Sequence, residues 1–337
     1  MASMRIENGD HLEHRATDVQ GNGGPWSIIL AGGEGERIRP FVFRWLKRHK
    51  PKQYCAFVGT RSMLQHTLAR ADRISIPERQ VTVIRRTHVS DARPQFIGRS
   101  FETVILQPEN RDTGAGIFLP LTYVRARDPH ATVVIHPSDH FIYPEKSFVE
   151  VLKIVARAAE YYPDRLVLIG ALPDSPEPDY GWIIPGDSFG WVSGRIIRNV
   201  RSFVEKPSTD QARNALECGG VWNTMIFAAK AETLWNLGLR CFPHMMLLFE
   251  RLGSAIGTSR ENDVLDAIYQ TMPVHNFSRG LIARVVEQVA LIELDGVFWS
   301  DWGRPERIGE TLRRMKKTPA FPWACLLQSD GAPATDQ

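Results

Sequence analysis

The segment from Trp26 to Gln53, WSIILAGGEGERIRPFVFRWLKRHKPKQ, carries the residues best suited to chemistry. A short apolar run is followed by Gly32, Gly33 and Gly35, then by Arg37, and a basic stretch leads on to Lys52. Glycines in such a turn let backbone N–H groups approach an anion closely. An arginine and a lysine beside that nest complete a cradle for a polyphosphate. Two better-known loops do not match. A Walker A loop ends in Gly-Lys-Ser/Thr, whereas Gly35 is followed by Glu36 and Arg37. The dinucleotide fingerprint needs a further glycine where this chain has Ile38. A turn that merely redirects the chain is the competing reading of the glycines.

Carboxylates at two other places extend the theme. Asp139 ends an apolar run in VVIHPSDHFI, and Asp301 lies between Trp299 and Trp302. Each has a plain alternative, Asp139 as a cap and Asp301 as a turn residue ahead of Gly303. Each also suits Mg²⁺, which takes one or two carboxylates together with phosphate oxygens. A glycine nest, two cations and two carboxylates together suggest phosphate chemistry on a nucleotide.

These residues need a scaffold. Apolar runs predict strands at Trp26 to Leu30, Val81 to Ile84, Thr103 to Leu106, Ala131 to His136 and Leu166 to Ile169. Helical spacing predicts helices over Ser62 to Ala71, Thr113 to about Arg127, and a stretch containing Phe148, Val151, Leu152, Val155 and Ala159. Alternation of this kind implies parallel βαβ units, so the fold class is α/β: a doubly wound, mostly parallel sheet with a Rossmann-like nucleotide-binding half. Ligands of such sheets bind at the strand C-termini. There the chain puts Gly32 to Arg37, Gln107 to Thr113 and Ser138-Asp139-His140. The second half is less regular, with strands expected at Tyr180 to Ile184, Ile196 to Val204 and Val221 to Ala228. Helices are expected around 231–239, 245–252, 262–269 and 305–316. The expected organisation is a disordered extension over 1–25, one domain over 26–317 and a tail over 318–337. Within the domain, a nucleotide-binding half covers about 26–175 and a substrate-binding half about 176–317.

Composition excludes several classes. Of 337 residues, 43% are hydrophobic and 23% charged, as in an ordinary globular protein. A net charge of +3 gives no bulk electrostatic argument for nucleic acid. Cys55, Cys218, Cys241 and Cys325 are scattered, with neither zinc-ligand nor disulfide-framework spacing. Neither a signal peptide nor a membrane-spanning run is evident, so a cytoplasmic location is expected, with no nucleic-acid or membrane partner.

The ordered motifs resemble the sugar-phosphate nucleotidyltransferases, most closely the mannose-1-phosphate guanylyltransferases. That family opens with Gly-Gly-x-Gly-x-Arg-Leu-x-Pro and then Pro-Lys-Gln; here stand Gly32, Gly33, Gly35, Arg37, Ile38 and Pro40, then Pro51-Lys52-Gln53. QPENRDTGAGI (107–117), HPSDHFI (136–142), YGWI (180–183), FVEKP (203–207), WNTMIF (222–227) and FWSDWG (298–303) are similar to further family motifs, in family order. The likeness covers about 26 to 315.

The resemblance implies a glycosyltransferase-A-like nucleotidyltransferase fold. It also implies transfer of a nucleotidyl group from a nucleoside triphosphate, GTP favoured, to a sugar-1-phosphate, mannose-1-phosphate favoured. Arg37, Lys52 and Asp139 would be catalytic. Ala31, Gly32, Gly33, Gly35, Gln107, Arg111 and Thr113 would bind the nucleotide. Gly181, Glu205, Lys206 and Asn223 would bind the sugar phosphate. Mg²⁺ would sit on Asp139 and Asp301, and a homodimer is an assembly such a chain could form. Departures bear on substrate choice: a longer spacer between Pro40 and Pro51, Gly114-Ala115-Gly116 for Ala-Pro-Ala, and Met225 where a glycine is usual. Another hexose-1-phosphate or base, or a silent nucleotide-sugar-binding regulator, are the alternatives.

Overall fold

The computed structural model describes residues 23–327; the expected extension over 1–25 and the end of the tail therefore lie largely outside the described residues. The strands are β1 (Trp26–Ala31), β2 (Gln80–Arg85), β3 (Val104–Gln107), β4 (Thr132–Pro137), β5 (Phe141–Tyr143), β6 (Leu166–Ala171), β7 (Gly181–Val192), β8 (Arg195–Glu205), β9 (Val221–Lys230), β10 (Val289–Leu294) and β11 (Phe298–Ser300). All but β5 and β11 form one sheet in the order β3-β2-β1-β4-β9-β6-β10-β8-β7. Parallel ladders join β3, β2, β1 and β4, and also β6 and β10, whereas β9 and β8 run against their neighbours. The sheet is thus mainly parallel. Strand order reverses between β1, which leads outward to β2 and β3, and β4, which lies on its other side. The loops after β1 and β4 open at that switch point, where α/β sheets take their ligands.

The apolar runs form strands because both faces of the sheet are covered. Along β4, Val133 and Ile135 enter one core with the helices Asp112–Arg127, Ala231–Cys241 and Pro243–Gly253; Val134 enters another with Glu145–Tyr161. Met63–Ala71 starts in a capping box between Ser62 and Gln65 and packs Leu64 and Leu68 under β1. A smaller cluster of Ile38, Phe41, Phe57, Trp302, Ile308 and Phe321 anchors the glycine loop to the chain beyond Asp301.

The structure adds elements beyond the sequence expectation. The long spacer is the helix Arg39–Leu46, which buries Phe41 and Val42. Strand β10 sits deep in the sheet between β6 and β8. Strands β5 and β11 pair antiparallel as a separate ribbon joining the segments after Asp139 and before Asp301. Pro319 bridges Val58, and Phe321 is buried, so the start of the expected tail packs on the domain.

Candidate active site

The loop after β1 is shaped around Lys52. Gly35 adopts a left-handed conformation (φ 64°), and a Cβ there would lie 3.0 Å from the Lys52 Cβ. Position 35 therefore calls for glycine on conformation and on space. Gln53 Nε2 donates to the carbonyls of Ala31 (2.8 Å) and Gly33 (2.9 Å), and the Tyr54 hydroxyl donates to Ala31 (2.9 Å). These bonds hold the carbonyls of the turn.

Lys52, 4% exposed, links the carboxylate of Asp139 to the backbone of Asp301. Its Nζ pairs with Asp139 Oδ2 at 2.9 Å and donates to the backbone carbonyl of Asp301. Burial pushes the Asp139 carboxyl up, but Lys52 and His140 outweigh it and hold the group below its ordinary value. Asp301 accepts from the Tyr180 hydroxyl (2.9 Å) and the Gly303 N–H (2.8 Å), and pairs with Arg37 (3.3 Å) and Arg307 (2.5 Å). Burial again opposes ionisation, while Lys52, Arg307 and the Gly303 N–H bring Asp301 down to about 2. Both carboxylates are therefore anionic at neutral pH and suit a hard cation completed by phosphate oxygens.

Arg37 is half-exposed and divides its guanidinium between Asp301 and Asp179 (3.0 Å). Arg304 pairs with Glu177 (3.0 Å) and Asp179 (2.5 Å), and Arg307 reaches Glu177 at 2.6 Å while lying 4.5 Å over the Tyr180 ring. Sequence reasoning does not single out Glu177, Asp179, Arg304 or Arg307, and it takes Tyr180 only as the start of a motif and a strand. Arg304 and Arg307, three apart just after Asp301, are the available signal. His140 accepts from Trp299 Nε1 (3.2 Å) through Nδ1, and burial pushes its imidazole down to about 4. It is neutral at pH 7, and its Nε2 lies 3.6 Å from Asp139 Oδ1; among the described residues no group of three or more His, Cys, Asp or Glu side chains could hold a metal.

At the expected base end, Gln107 is buried beside Gly32, whose Cβ would fall 3.3 Å from Gln107 Oε1. Arg111 and Thr113 turn elsewhere. Arg111 donates to the Tyr269 carbonyl (2.9 Å) and pairs with Glu109 (2.8 Å); the Thr113 hydroxyl accepts from the Phe277 N–H (2.8 Å). The Gly114 N–H donates to the His275 carbonyl (2.8 Å). The motif is thus stitched to segment 269–277.

At the expected sugar end, Gly181 pairs with Glu205 across β7 and β8. A Cβ on Gly181 would lie 2.7 Å from Glu205 Oε2 and 3.2 Å from the Asn223 Cβ, so the three converge where only a glycine fits. Burial raises the Glu205 carboxyl despite Lys206 and Arg279 nearby. Exposed Lys206 has a left-handed backbone (φ 50°) and donates its N–H to the Tyr180 carbonyl at 3.3 Å. Met225 is left-handed as well (φ 56°), which a glycine would adopt without strain. The Met225 N–H donates to Asn223 Oδ1 (3.0 Å), its Sδ accepts from the Ser278 hydroxyl (3.0 Å), and Asn223 Nδ2 donates to Ser278 Oγ (3.4 Å). The large side chain is accommodated beside segment 277–280.

A mainly parallel α/β sheet whose switch point carries a glycine loop, a buried lysine and an anionic aspartate defines a nucleotide-binding phosphotransfer class. Residues 26–317 match the family described as nucleotidyl transferase, and the chain belongs to it. Among curated relatives, the xanthan biosynthesis protein XanB of Xanthomonas campestris pv. campestris is 31% identical over 61% of this chain and 42% of its own length. A mannose-1-phosphate guanylyltransferase of Escherichia coli is 28% identical over 82% of this chain and 58% of its own length. This chain thus spans only about half the length of the curated relatives it matches. A solved structure described as a mannose-1-phosphate geranyltransferase from Thermus thermophilus superposes with a TM-score of 0.71 at 28% identity, covering 84% of this chain and 78% of that one.

Proposed function

We propose that the chain transfers a nucleotidyl group from a nucleoside triphosphate to a sugar-1-phosphate, with GTP and mannose-1-phosphate as the favoured pair and GDP-mannose and pyrophosphate as products. The carrying observation is Lys52, buried below the glycine loop and touching both Asp139 and the backbone of Asp301. A charge so placed meets phosphate at the switch point of the sheet. The matched family supports the reaction class; the relatives' printed names favour mannose and guanine.

In this reading a sugar-phosphate oxygen attacks the α-phosphorus, the α–β phosphoanhydride bond breaks and pyrophosphate leaves. A phosphate with a second pKa near ~6 is already mostly dianionic at pH 7 and needs no general base. His140, neutral and bonded to Trp299, is accordingly not required as one. Arg37 would exchange Asp179 and Asp301 for the triphosphate, and Lys52 would offset charge at the reacting phosphates. Asp139 and Asp301 would hold Mg²⁺, which when bound neutralises phosphate charge. Gly181, Glu205 and Asn223 would face the hexose, with Lys206 on its phosphate. Scattered free cysteines accord with a cytoplasmic location, and among the described residues no helix is long and apolar enough to cross a membrane.

Pyrophosphate release with a panel of triphosphates and sugar-1-phosphates in Mg²⁺ tests the reading. The expected result is turnover, with the highest kcat/KM for GTP and mannose-1-phosphate. Binding of GDP-mannose without turnover of any pair would replace it with the regulator.

A further inference from the structure

We propose that Arg279 is a second cation for the sugar phosphate, acting beside Lys206; this rests on the reading above. The segment 275–280 follows a stretch without recognisable motifs, yet it is fastened to both ends of the cleft. Toward the base end, the Phe277 N–H donates to Thr113 Oγ1 (2.8 Å), the Gly114 N–H donates to the His275 carbonyl (2.8 Å), and Asn276 Nδ2 reaches Asp112 Oδ1 at 3.4 Å. Toward the sugar end, Ser278 is bonded to both Asn223 and Met225. Arg279 is the next residue, on the short helix Phe277–Gly280, whose N-cap Asn276 accepts the Arg279 N–H at 2.9 Å. Its backbone is therefore fixed while its side chain is exposed.

The charge pattern separates this corner from the rest of the cleft. Arg37, Lys52, Arg304 and Arg307 all pair with carboxylates within ion-pair distance. Among the described residues, neither Lys206 nor Arg279 has such a pair, although Glu205 lies within the electrostatic reach of both. Two anchored, exposed cations without ion pairs, flanking the residues that converge on Gly181, suit a phosphate dianion.

Steady-state kinetics with mannose-1-phosphate and GTP test the inference. For Arg279→Ala the KM of mannose-1-phosphate should rise about tenfold, the size of one lost charge-assisted hydrogen bond, with the GTP KM unchanged. Arg279→Lys should recover most of the loss. A sugar-phosphate KM unchanged in Arg279→Ala, or a loss confined to the GTP KM or to kcat, would overturn the assignment while leaving the reaction intact. A wild-type chain that turns over no substrate pair would instead overturn the reading and the inference with it.

Discussion

The two ends of the cleft are built on different electrostatic plans. At the phosphate end every candidate charge is already engaged: Lys52 with Asp139, Arg37 with Asp179 and Asp301, Arg307 with Asp301 and Glu177. At the sugar end Lys206 and Arg279 stand exposed without ion pairs among the described residues, and burial raises the Glu205 carboxyl above its ordinary value. A pre-paired centre keeps its geometry before substrate arrives, as transition-state stabilisation requires. An open, lightly charged end can change its ligand without dismantling the reaction. On the proposed function, chemistry would belong to one end and selectivity to the other.

The contrast breaks most visibly at Asp139. Asp139→Asn should lower kcat about a thousandfold with little change in sugar-phosphate KM, read from initial rates at saturating Mg²⁺. A near-normal kcat would remove the metal role. Lys52→Met should come next, since it leaves the Asp139 carboxylate without its ion-pair partner and the Asp301 carbonyl without its donor. We expect about 2 kcal/mol of lost stability by urea unfolding, tempered because Asp139 is 39% exposed, and a kcat loss of about a hundredfold. At the selective end, Met225→Gly should leave kcat for the best pair within about threefold and shift the kcat/KM ratio between mannose- and glucose-1-phosphate by about tenfold. An unchanged ratio would place selectivity elsewhere.

The effect furthest from turnover is one of pH on stability. His136 is buried, and burial holds its imidazole at about 3, below its ordinary value of 6.5. The unfolded chain therefore gains a proton that the folded chain refuses as pH falls below 6.5. Stability is full above that value and declines progressively toward pH 3. Urea unfolding should show about 2 kcal/mol less stability at pH 5 than at pH 7 from this residue, and His136→Leu should flatten the difference.

Legibility follows the distance over which information acts. Strand β4 and the helix Glu145–Tyr161 are readable because burial imposes local periodicity on Val133 to Ile135 and on Phe148 to Ala159. The parallel half and its switch point follow from that alternation. Strand β10 is not legible because VALIEL enters the sheet out of chain order, after irregular turns rather than a crossover helix. The β5–β11 ribbon is too short to show a period. Within the site, Asp139, Asp301, Arg37 and Lys52 are marked by neighbouring motifs. Glu177, Asp179, Arg304 and Arg307 are not, because their partners are far away in the chain and only folding brings them together. The same holds for Arg279, tied to its corner through Asn276 and Ser278.

The pairing at the phosphate end has a consequence for how the proposed site would meet a triphosphate. Arg37, Lys52, Arg304 and Arg307 balance Asp139, Glu177, Asp179 and Asp301 charge for charge. An electroneutral mouth exerts little long-range pull on a free triphosphate. Capture should therefore depend weakly on ionic strength and favour a triphosphate that arrives already carrying its own divalent ion.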